Sequence, residues 1–462
     1  MLINETIAAI ATPMSSAGIG IIRISGENSF DIIDKIYSSK KGKKILSSQP
    51  THTIHYGFIV NDDEILDEVL VSIMRGPNSY TGEDTVEINA HGGVFVMKKI
   101  LELVIHNGAR PAEPGEFTKR AFLNGKMDLS QAEAVMDVID SKNGYALKSS
   151  ISQLKGNVQH KIDSIRSEII YHTAFIETAL DDPEHISIDG YSESLKIVVM
   201  KLISELNKLI KSSDDGRIIK EGIQTVIIGK PNAGKSSLLN ILVGGDRAIV
   251  TDIEGTTRDI LEETINLNGI TLNIVDTAGI RDTVDVVEKL GVEKAKTYAE
   301  NADLLMFVVD ASRALDENDA HILEIIEDRK AVILLNKNDL NTVISKEDIR
   351  KKGVKNHTPI IPISAKTSNG IEELEEQVKE MFFHGELDFN DQIFITNIRQ
   401  KTALNTAVSS LEKVLESIEM DMPEDFYSID LLDAYEELGT IIGETIGEDL
   451  VNEIFSKFCM GK

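Results

Sequence analysis

The 462 residues contain a single cysteine, Cys459. One thiol excludes an intrachain disulfide framework and any cysteine-rich metal site. No apolar run approaches the ~18 residues that a membrane span requires. The start, from Met1 to Pro13, lacks a basic n-region, and its apolar stretch around residues 7–11 is short. It reads as a first strand rather than a signal peptide. Positive charge is also scarce: 48 Lys and Arg stand against 76 Asp and Glu, a formal net charge of -28. Such a surface repels phosphate backbones and disfavours unaided, non-specific nucleic-acid binding. An RNA substrate would need a basic partner or a local basic patch. Lys40, Lys41, Lys43 and Lys44 form one such run, although it reads first as a solvated loop. These absences describe a cytoplasmic protein.

What is present is globular. A hydrophobic content of 42% with 27% charged residues is that of a packed chain, and the length predicts about two to four domains. Residues 1–124 show short strands punctuated by Gly and Pro, with β-like stretches at 20–25, 69–74 and 85–89. Residues 94–106 are apolar at helical spacing and end at Asn107-Gly108, so this part is an α+β domain. Beyond it, Leu147, Ile151, Leu154, Val158, Ile162, Ile165 and Ile169 fall on one predicted helical stripe, which Asp181-Asp182-Pro183 interrupts. A second helical pattern runs through Leu404, Val408, Leu411, Leu415 and Ile418, then Leu431, Tyr435, Leu438 and Ile442. Neither stripe can bury itself alone, so a discontinuous helical domain is expected, from segments 125–218 and 381–462.

The block between them, 219–380, alternates strand and helix. Residues 225–229, 271–276, 304–310, 331–336 and 360–364 are apolar and largely β-branched, as buried strands are. Asn268-Gly269 marks a hairpin. The expectation is an inserted, doubly wound α/β domain.

Four motifs stand in order along that block. Gly229-Lys-Pro-Asn-Ala-Gly234-Lys235-Ser236 follows a strand and precedes an apolar helix, as a phosphate-binding loop does. Glycines let backbone N–H groups curl around phosphate oxygens, and the helix N-terminus adds a favourable dipole. Asn232, Ala233, Gly234, Lys235, Ser236 and Ser237 are the candidate contacts, with Lys235 on the β- and γ-phosphates and Ser236 on Mg²⁺. Asp276, Thr277, Ala278 and Gly279 end a strand, where Asp276 can hold the metal's water shell and Gly279 can meet the γ-phosphate. Asn336, Lys337 and Asp339 end a later strand; the Asp339 carboxylate can accept from guanine N1–H and the exocyclic amine. Adenine would leave that carboxylate unpaired. Ser364, Ala365 and Lys366 fit a backbone contact to the guanine oxygen. The base is read as guanine, and the block as a P-loop G domain.

Between the first two motifs lies Thr251, Asp252, Ile253, Glu254, Gly255, Thr256 and Thr257. A threonine here closes on Mg²⁺ and the γ-phosphate in GTP switches, and Thr257 is the candidate. The residue after Gly279 is Ile280, not the glutamine that often orients water in GTPases. Another group must do so. Glu288 is one candidate, and a surface glutamate is the other reading of it.

Further motifs carry a resemblance over essentially the whole chain. They are Ala11-Thr12-Pro13, Gly20-Ile-Ile-Arg23-Ile-Ser-Gly26, Gly76-Pro-Asn-Ser-Tyr-Thr-Gly-Glu-Asp84 and His91-Gly92-Gly93. Arg110-Pro-Ala-Glu-Pro-Gly-Glu-Phe117, Ala121-Phe-Leu-Asn-Gly-Lys126 and the terminal Phe458-Cys-Met-Gly-Lys462 follow. With an inserted G domain, this set resembles the MnmE (TrmE) family of tRNA-modification GTPases. Two departures are visible: Met460 stands where the family tail has isoleucine, a volume-conserving change, and Met14–Ala17 lacks glycines that the family often carries there.

The resemblance implies a homodimer formed through a folate-binding N-terminal domain. It implies an FAD- and NADH-using partner, MnmG (GidA), in a heterotetramer or larger complex. Together they would add a carboxymethylaminomethyl or aminomethyl group to C5 of the tRNA wobble uridine. A tetrahydrofolate derivative (5,10-methylene or 5-formyl) would serve as cofactor, and the tRNA would be held largely by the partner. Arg23, Glu87, Lys126 and Lys462 match the folate site. The resemblance also implies G domains that dimerise across the nucleotide, with potassium in place of an arginine finger. Asn232, Thr251, Ile253 and Thr256 are its ligands, and Glu288 orders the attacking water. Glu288, Lys235 and Asn232 are then the catalytic set. Cys459 reads as structural, since nothing near it in sequence lowers a thiol pKa. A ribosome-assembly switch is the alternative, and it predicts an RNA-binding module after the G domain. A one-carbon-transfer enzyme with a merely regulatory G domain is another.

Overall fold

The computed structural model describes residues 5–40, 42, 44–188, 190–244, 263–267, 269–275, 302–383 and 393–461. The chain folds as two compact units, Met1–Met136 with Gln153–Lys196 and Ser409–Lys462, and Asp137–Ser152 with Ile197–Val408. Among the described residues no helix is long and apolar enough to cross a membrane.

The first unit holds a seven-stranded sheet in the order β3-β4-β5-β6-β2-β1-β7. Its strands are β1 (Ile7–Ile10), β2 (Ala17–Ser25), β3 (Tyr37–Ser38), β4 (Thr53–Asn61), β5 (Glu64–Met74), β6 (Thr85–Gly92) and β7 (Arg110–Pro111). Period-two alternation sets the two faces. Ile22 and Ile24 of β2, Val71 and Ile73 of β5 and Val86 and Ile88 of β6 are fully buried, packed in one cluster with the helices Ser29–Ile36 and Val94–His106. Arg23 therefore points to the opposite face, where register places it directly across from Glu87. The helix predicted over 94–106 is found there, capped at Asn107.

In the same unit the helix Asn157–Asp181 packs on Asp425–Ile442. Arg166, 4% exposed, locks the pair. Its guanidinium lies 4.0 Å over the Tyr435 ring, its Nε donates to the Tyr435 carbonyl at 3.2 Å, and it pairs with Glu444 at 2.6 Å. The first expected stripe is only partly a core. Val158, Ile162, Ile165 and Ile169 are buried, whereas Leu147, Ile151 and Leu154 are exposed. The physical reason is a break: one helix ends at Leu154 and the next starts at Asn157 after Gly156 with φ 86°. Helical phase is not carried across that turn, so spacing stops reporting a shared face.

The second unit holds a six-stranded sheet, ordered β13-β12-β11-β8-β10-β9. The strands are β8 (Ile223–Ile228), β9 (Glu263–Leu267), β10 (Ile270–Ile274), β11 (Leu304–Asp310), β12 (Ala331–Asn336) and β13 (Ile360–Pro362). All neighbours are parallel except the β9–β10 hairpin. Every residue of β11 and β12 is buried, because apolar clusters cover both faces of the sheet. Sequence order runs to opposite sides of β8, so the crevice beyond its carboxyl end is the topological switch point where open α/β sheets place ligands. Asn143 fastens the segment before the helix Gly144–Leu154 to this sheet. Its Nδ2 donates to Thr271 Oγ1 at 2.8 Å and to the Ile219 carbonyl at 3.3 Å, and its Oδ1 accepts from the Ala146 N–H at 2.7 Å.

Candidate nucleotide-binding site

At the end of β8 the chain turns through Gly229–Gly234 into the helix Lys235–Val243. Gly234 has φ 101°, and a Cβ there would collide with the Asn336 amide, so the position requires glycine. Asn232 takes the left-handed region at φ 63°, where asparagine is among the few tolerated side chains. Lys235 folds back over the loop, its Nζ donating to the carbonyls of Gly229 at 2.6 Å and Lys230 at 2.9 Å. Burial depresses the Lys235 pKa. A half-enclosed ammonium at a helix N-terminus is a cation that an incoming polyanion would compensate.

Two later loops meet this one. Asn336, 2% exposed, donates from Nδ2 to the Ala233 carbonyl at 2.8 Å and accepts the Ala365 N–H on Oδ1 at 2.9 Å. One side chain thus ties the phosphate-loop candidate to both base-reading candidates. Ser364 Oγ donates to Asp339 Oδ1 at 2.8 Å, orienting a carboxylate that is otherwise exposed. Lys337, with φ 65°, pairs with Asp310 at 2.6 Å. Burial would raise the Asp310 pKa, but its bonds from Lys337 and Ser312 hold it below the ordinary carboxylate value. The structure therefore gathers Asn232, Ala233, Gly234, Lys235, Asn336, Lys337, Asp339, Ser364 and Ala365 around one crevice; Ser236 and Ser237 open the helix, and Lys366 follows Ala365. Thr251, Asp252, Ile253, Glu254, Gly255, Thr256, Thr257, Asp276, Thr277, Ala278, Gly279 and Glu288 lie outside the described residues.

A second constellation occupies the face of β2 and β6 opposite the apolar cluster. Arg23 Nε donates to Glu87 Oε1 at 2.8 Å, and Nη1 donates to the Gly461 carbonyl at 3.1 Å. The guanidinium stands 5.4 Å from the Tyr80 ring centre and 5.5 Å from that of Phe117. The C-terminal tail reaches this face because Gly461 presses on β1; a Cβ there would come within 2.7 Å of Ala11 Cα. Lys126 stands on the Pro77 carbonyl at 2.8 Å, in the loop that also carries Tyr80. Lys462 lies outside the described residues.

Two models of protein families match the chain: "GTP-binding protein TrmE N-terminus" over residues 6–126 and "MnmE helical domain" over residues 129–459. The chain belongs to the MnmE family. A protein named tRNA modification GTPase MnmE from Lachnoclostridium phytofermentans is 60% identical over 459 residues, 99% of this chain and 100% of that one. Proteins of the same name from Acetivibrio thermocellus (52% identical, 99% of both chains) and Clostridioides difficile strain 630 (49%, 100% of both chains) are similar throughout their length. The MnmE architecture, with its N-terminal, helical and P-loop parts, is the one expected from the sequence.

Beneath the MnmE N-terminal face lies a charged network that sequence reasoning missed. Arg120, 5% exposed in its side chain, pairs with Glu83 at 3.1 Å and Glu116 at 3.0 Å, and donates to the Glu5 carbonyl at 2.8 Å. Arg110 joins Glu116 to Glu5, both at 2.6 Å. Glu83 also accepts from Ser25 Oγ at 2.8 Å, next to Arg23 in β2. Burial would raise the Glu116 pKa, but the bonds from Arg110, the Glu113 N–H and Arg120 bring it below the ordinary value. A depressed folded pKa gives stability that is present above the unfolded pKa and is lost as pH falls through the folded one. Arg120→Met is expected to destabilise this unit by about 3 kcal/mol, since the largely buried Glu83 loses its arginine while Glu116 keeps Arg110. Urea denaturation at pH 7 and pH 4 measures it, and the gap between wild type and variant should narrow at the lower pH.

Proposed function

We propose that this MnmE-family chain is a GTP hydrolase acting in tRNA wobble-uridine modification in the cytoplasm. The observation that carries the GTPase reading is the convergence of the Gly229–Ser236, Asn336–Asp339 and Ser364–Lys366 motifs at the switch point, stitched by Asn336. Full-length similarity to relatives named as tRNA modification GTPases supports the pathway. The proposed domains are 1–124 for folate binding and dimerisation, 125–218 and 381–462 for the helical domain, and 219–380 for the G domain.

The residues present suit the groups this reading needs. Lys235 and the helix N-terminus suit a polyphosphate, Ser236 with Thr257 would hold Mg²⁺, and Asn232 with Thr251, Ile253 and Thr256 would hold K⁺. Bound K⁺ supplies positive charge where the transition state develops negative charge, and Glu288 orients the water. Arg23 and Glu87, flanked by Tyr80 and Phe117, suit a flat heterocycle with hydrogen-bonding edges such as a tetrahydrofolate, with Lys126 and Lys462 for its acidic tail. An FAD- and NADH-using partner, MnmG, completes the chemistry in a complex with the homodimer and holds most of the tRNA.

The test is GTP turnover by the full chain in potassium against sodium, with Asn232→Ala alongside. Turnover is expected to be about ten-fold or more faster in potassium, a gain that Asn232→Ala removes. Equal turnover in both salts would leave a GTPase without the ion and call for an external activator.

A further inference from the structure

Lys230, the second residue of the phosphate loop, has no role among the contacts expected with nucleotide. In the structure its ammonium is held by two carboxylates at the start of the helix Glu317–Ile326: Asp316 Oδ2 at 2.8 Å and Asp319 Oδ2 at 2.6 Å. Asp319 is 3% exposed in its side chain. It is itself fixed by a capping box, in which the Asp316 N–H donates to its Oδ2 at 3.1 Å and Asp316 Oδ1 accepts from the N–H groups of Asn318 and Asp319. The anchor is thus built into a helix terminus, where the capping box orients the exposed Asp316 and the buried Asp319 together.

What Lys230 anchors matters more than the pair. Its carbonyl and that of Gly229 are the two acceptors that hold Lys235 Nζ. The loop contains backbone conformations that ordinary residues avoid, at Gly229, Asn232 and Gly234, and such conformations persist only where the surroundings over-determine them. On the far side of the loop, Asn336 fixes the Ala233 carbonyl. On the near side the fixing is done by Lys230.

We propose that Lys230 is a positioning residue of the nucleotide site, clamped by Asp316 and Asp319 so that the Gly229 and Lys230 carbonyls present Lys235 to the phosphates. The assignment rests on reading the crevice as a GTP site. It predicts a ground-state effect: Lys235 is presented before chemistry begins, so losing the clamp weakens binding of GDP and GTP alike.

The experiment is a fluorescent-GDP titration with steady-state GTP kinetics on the full chain. Lys230→Ala should raise the GDP Kd and the GTP KM by about ten-fold, the range of one charge-assisted hydrogen bond, with kcat within about two-fold of wild type. Lys230→Arg should restore both constants, because a guanidinium reaches the same carboxylates. Asp319→Asn should raise both constants in the same direction. The double variant Lys230→Ala/Asp319→Asn should be no weaker than Lys230→Ala, as one interaction can be lost only once. If Lys230→Ala does not fold, Lys230→Gln replaces it with the same expectation. Unchanged Kd and KM, a fall in kcat alone, or failure of arginine to rescue would each overturn the clamp. Wild-type protein that binds neither nucleotide would instead overturn the GTP-site reading, and that arm is read before any variant.

Discussion

Lys235→Ala is expected to lower kcat/KM for GTP by about a hundred-fold or more, while leaving the nucleotide-free protein as stable as wild type or more so. The two halves of this result have one cause. Lys235 is buried enough to depress its pKa, and the contacts it makes among the described residues are to the Gly229 and Lys230 carbonyls. Two carbonyl dipoles accept from the ammonium without neutralising its charge, so without nucleotide Lys235 carries part of its desolvation cost. Binding a triphosphate offsets that cost, and the fixed cation then acts on phosphate oxygens in a site partly shielded from water.

Truncation removes both the cost and the benefit. Thermal unfolding without nucleotide should show no decrease in midpoint, and the upward shift that saturating GDP gives the wild type should shrink or vanish. A variant that lost stability in both conditions would make Lys235 a structural residue. One that kept the GDP shift would put the phosphates elsewhere.

The sequence displayed some of this architecture because buried strands leave a local mark. The expected ends of β11 at 304 and 310, and of β12 at 331 and 336, coincide with Leu304–Asp310 and Ala331–Asn336. A strand covered on both faces is an unbroken apolar run, and the run stops where burial stops. The strands of the N-terminal sheet were less visible. β5 starts at Glu64, before its apolar stretch, and its early residues are exposed or half-buried. The Leu147–Ile169 stripe misled because spacing cannot show a turn at Gly156.

The motifs showed which residues could form a site, but not what holds them there. Lys230 finds its carboxylates 86 positions away in Asp316 and 89 away in Asp319. Arg120 finds one of its partners in Glu83, 37 residues earlier. Such pairs have no period and no fixed spacing, and only the fold brings them together. Asp310 offered one usable signal, a lone carboxylate at the end of the apolar run Leu304–Asp310. A charge there needs a partner, and Lys337 supplies it.

Asp339→Asn should exchange the base that the protein accepts. Guanine offers two donors side by side, N1–H and the exocyclic amine, and a carboxylate meets both as an acceptor. In the structure Ser364 Oγ already donates to Asp339 Oδ1, which fixes the rotation of the group. An asparagine that keeps this bond through its own oxygen turns its NH₂ toward the base. Facing guanine, donor then meets donor, and discrimination of this kind is worth about 10³ or more in kcat/KM. Xanthine carries an oxygen where guanine carries the amine, so the same NH₂ finds an acceptor. Steady-state hydrolysis of GTP and XTP by the wild type and by Asp339→Asn should therefore show a crossover, with XTP the better substrate of the variant. Ser364→Ala should blunt this preference in the variant, because the amide is then free to flip and offer its oxygen to guanine again. If Asp339→Asn lost GTP without gaining XTP, the carboxylate would be supporting the loop rather than reading the base. If it kept GTP, guanine would be read by groups other than Asp339.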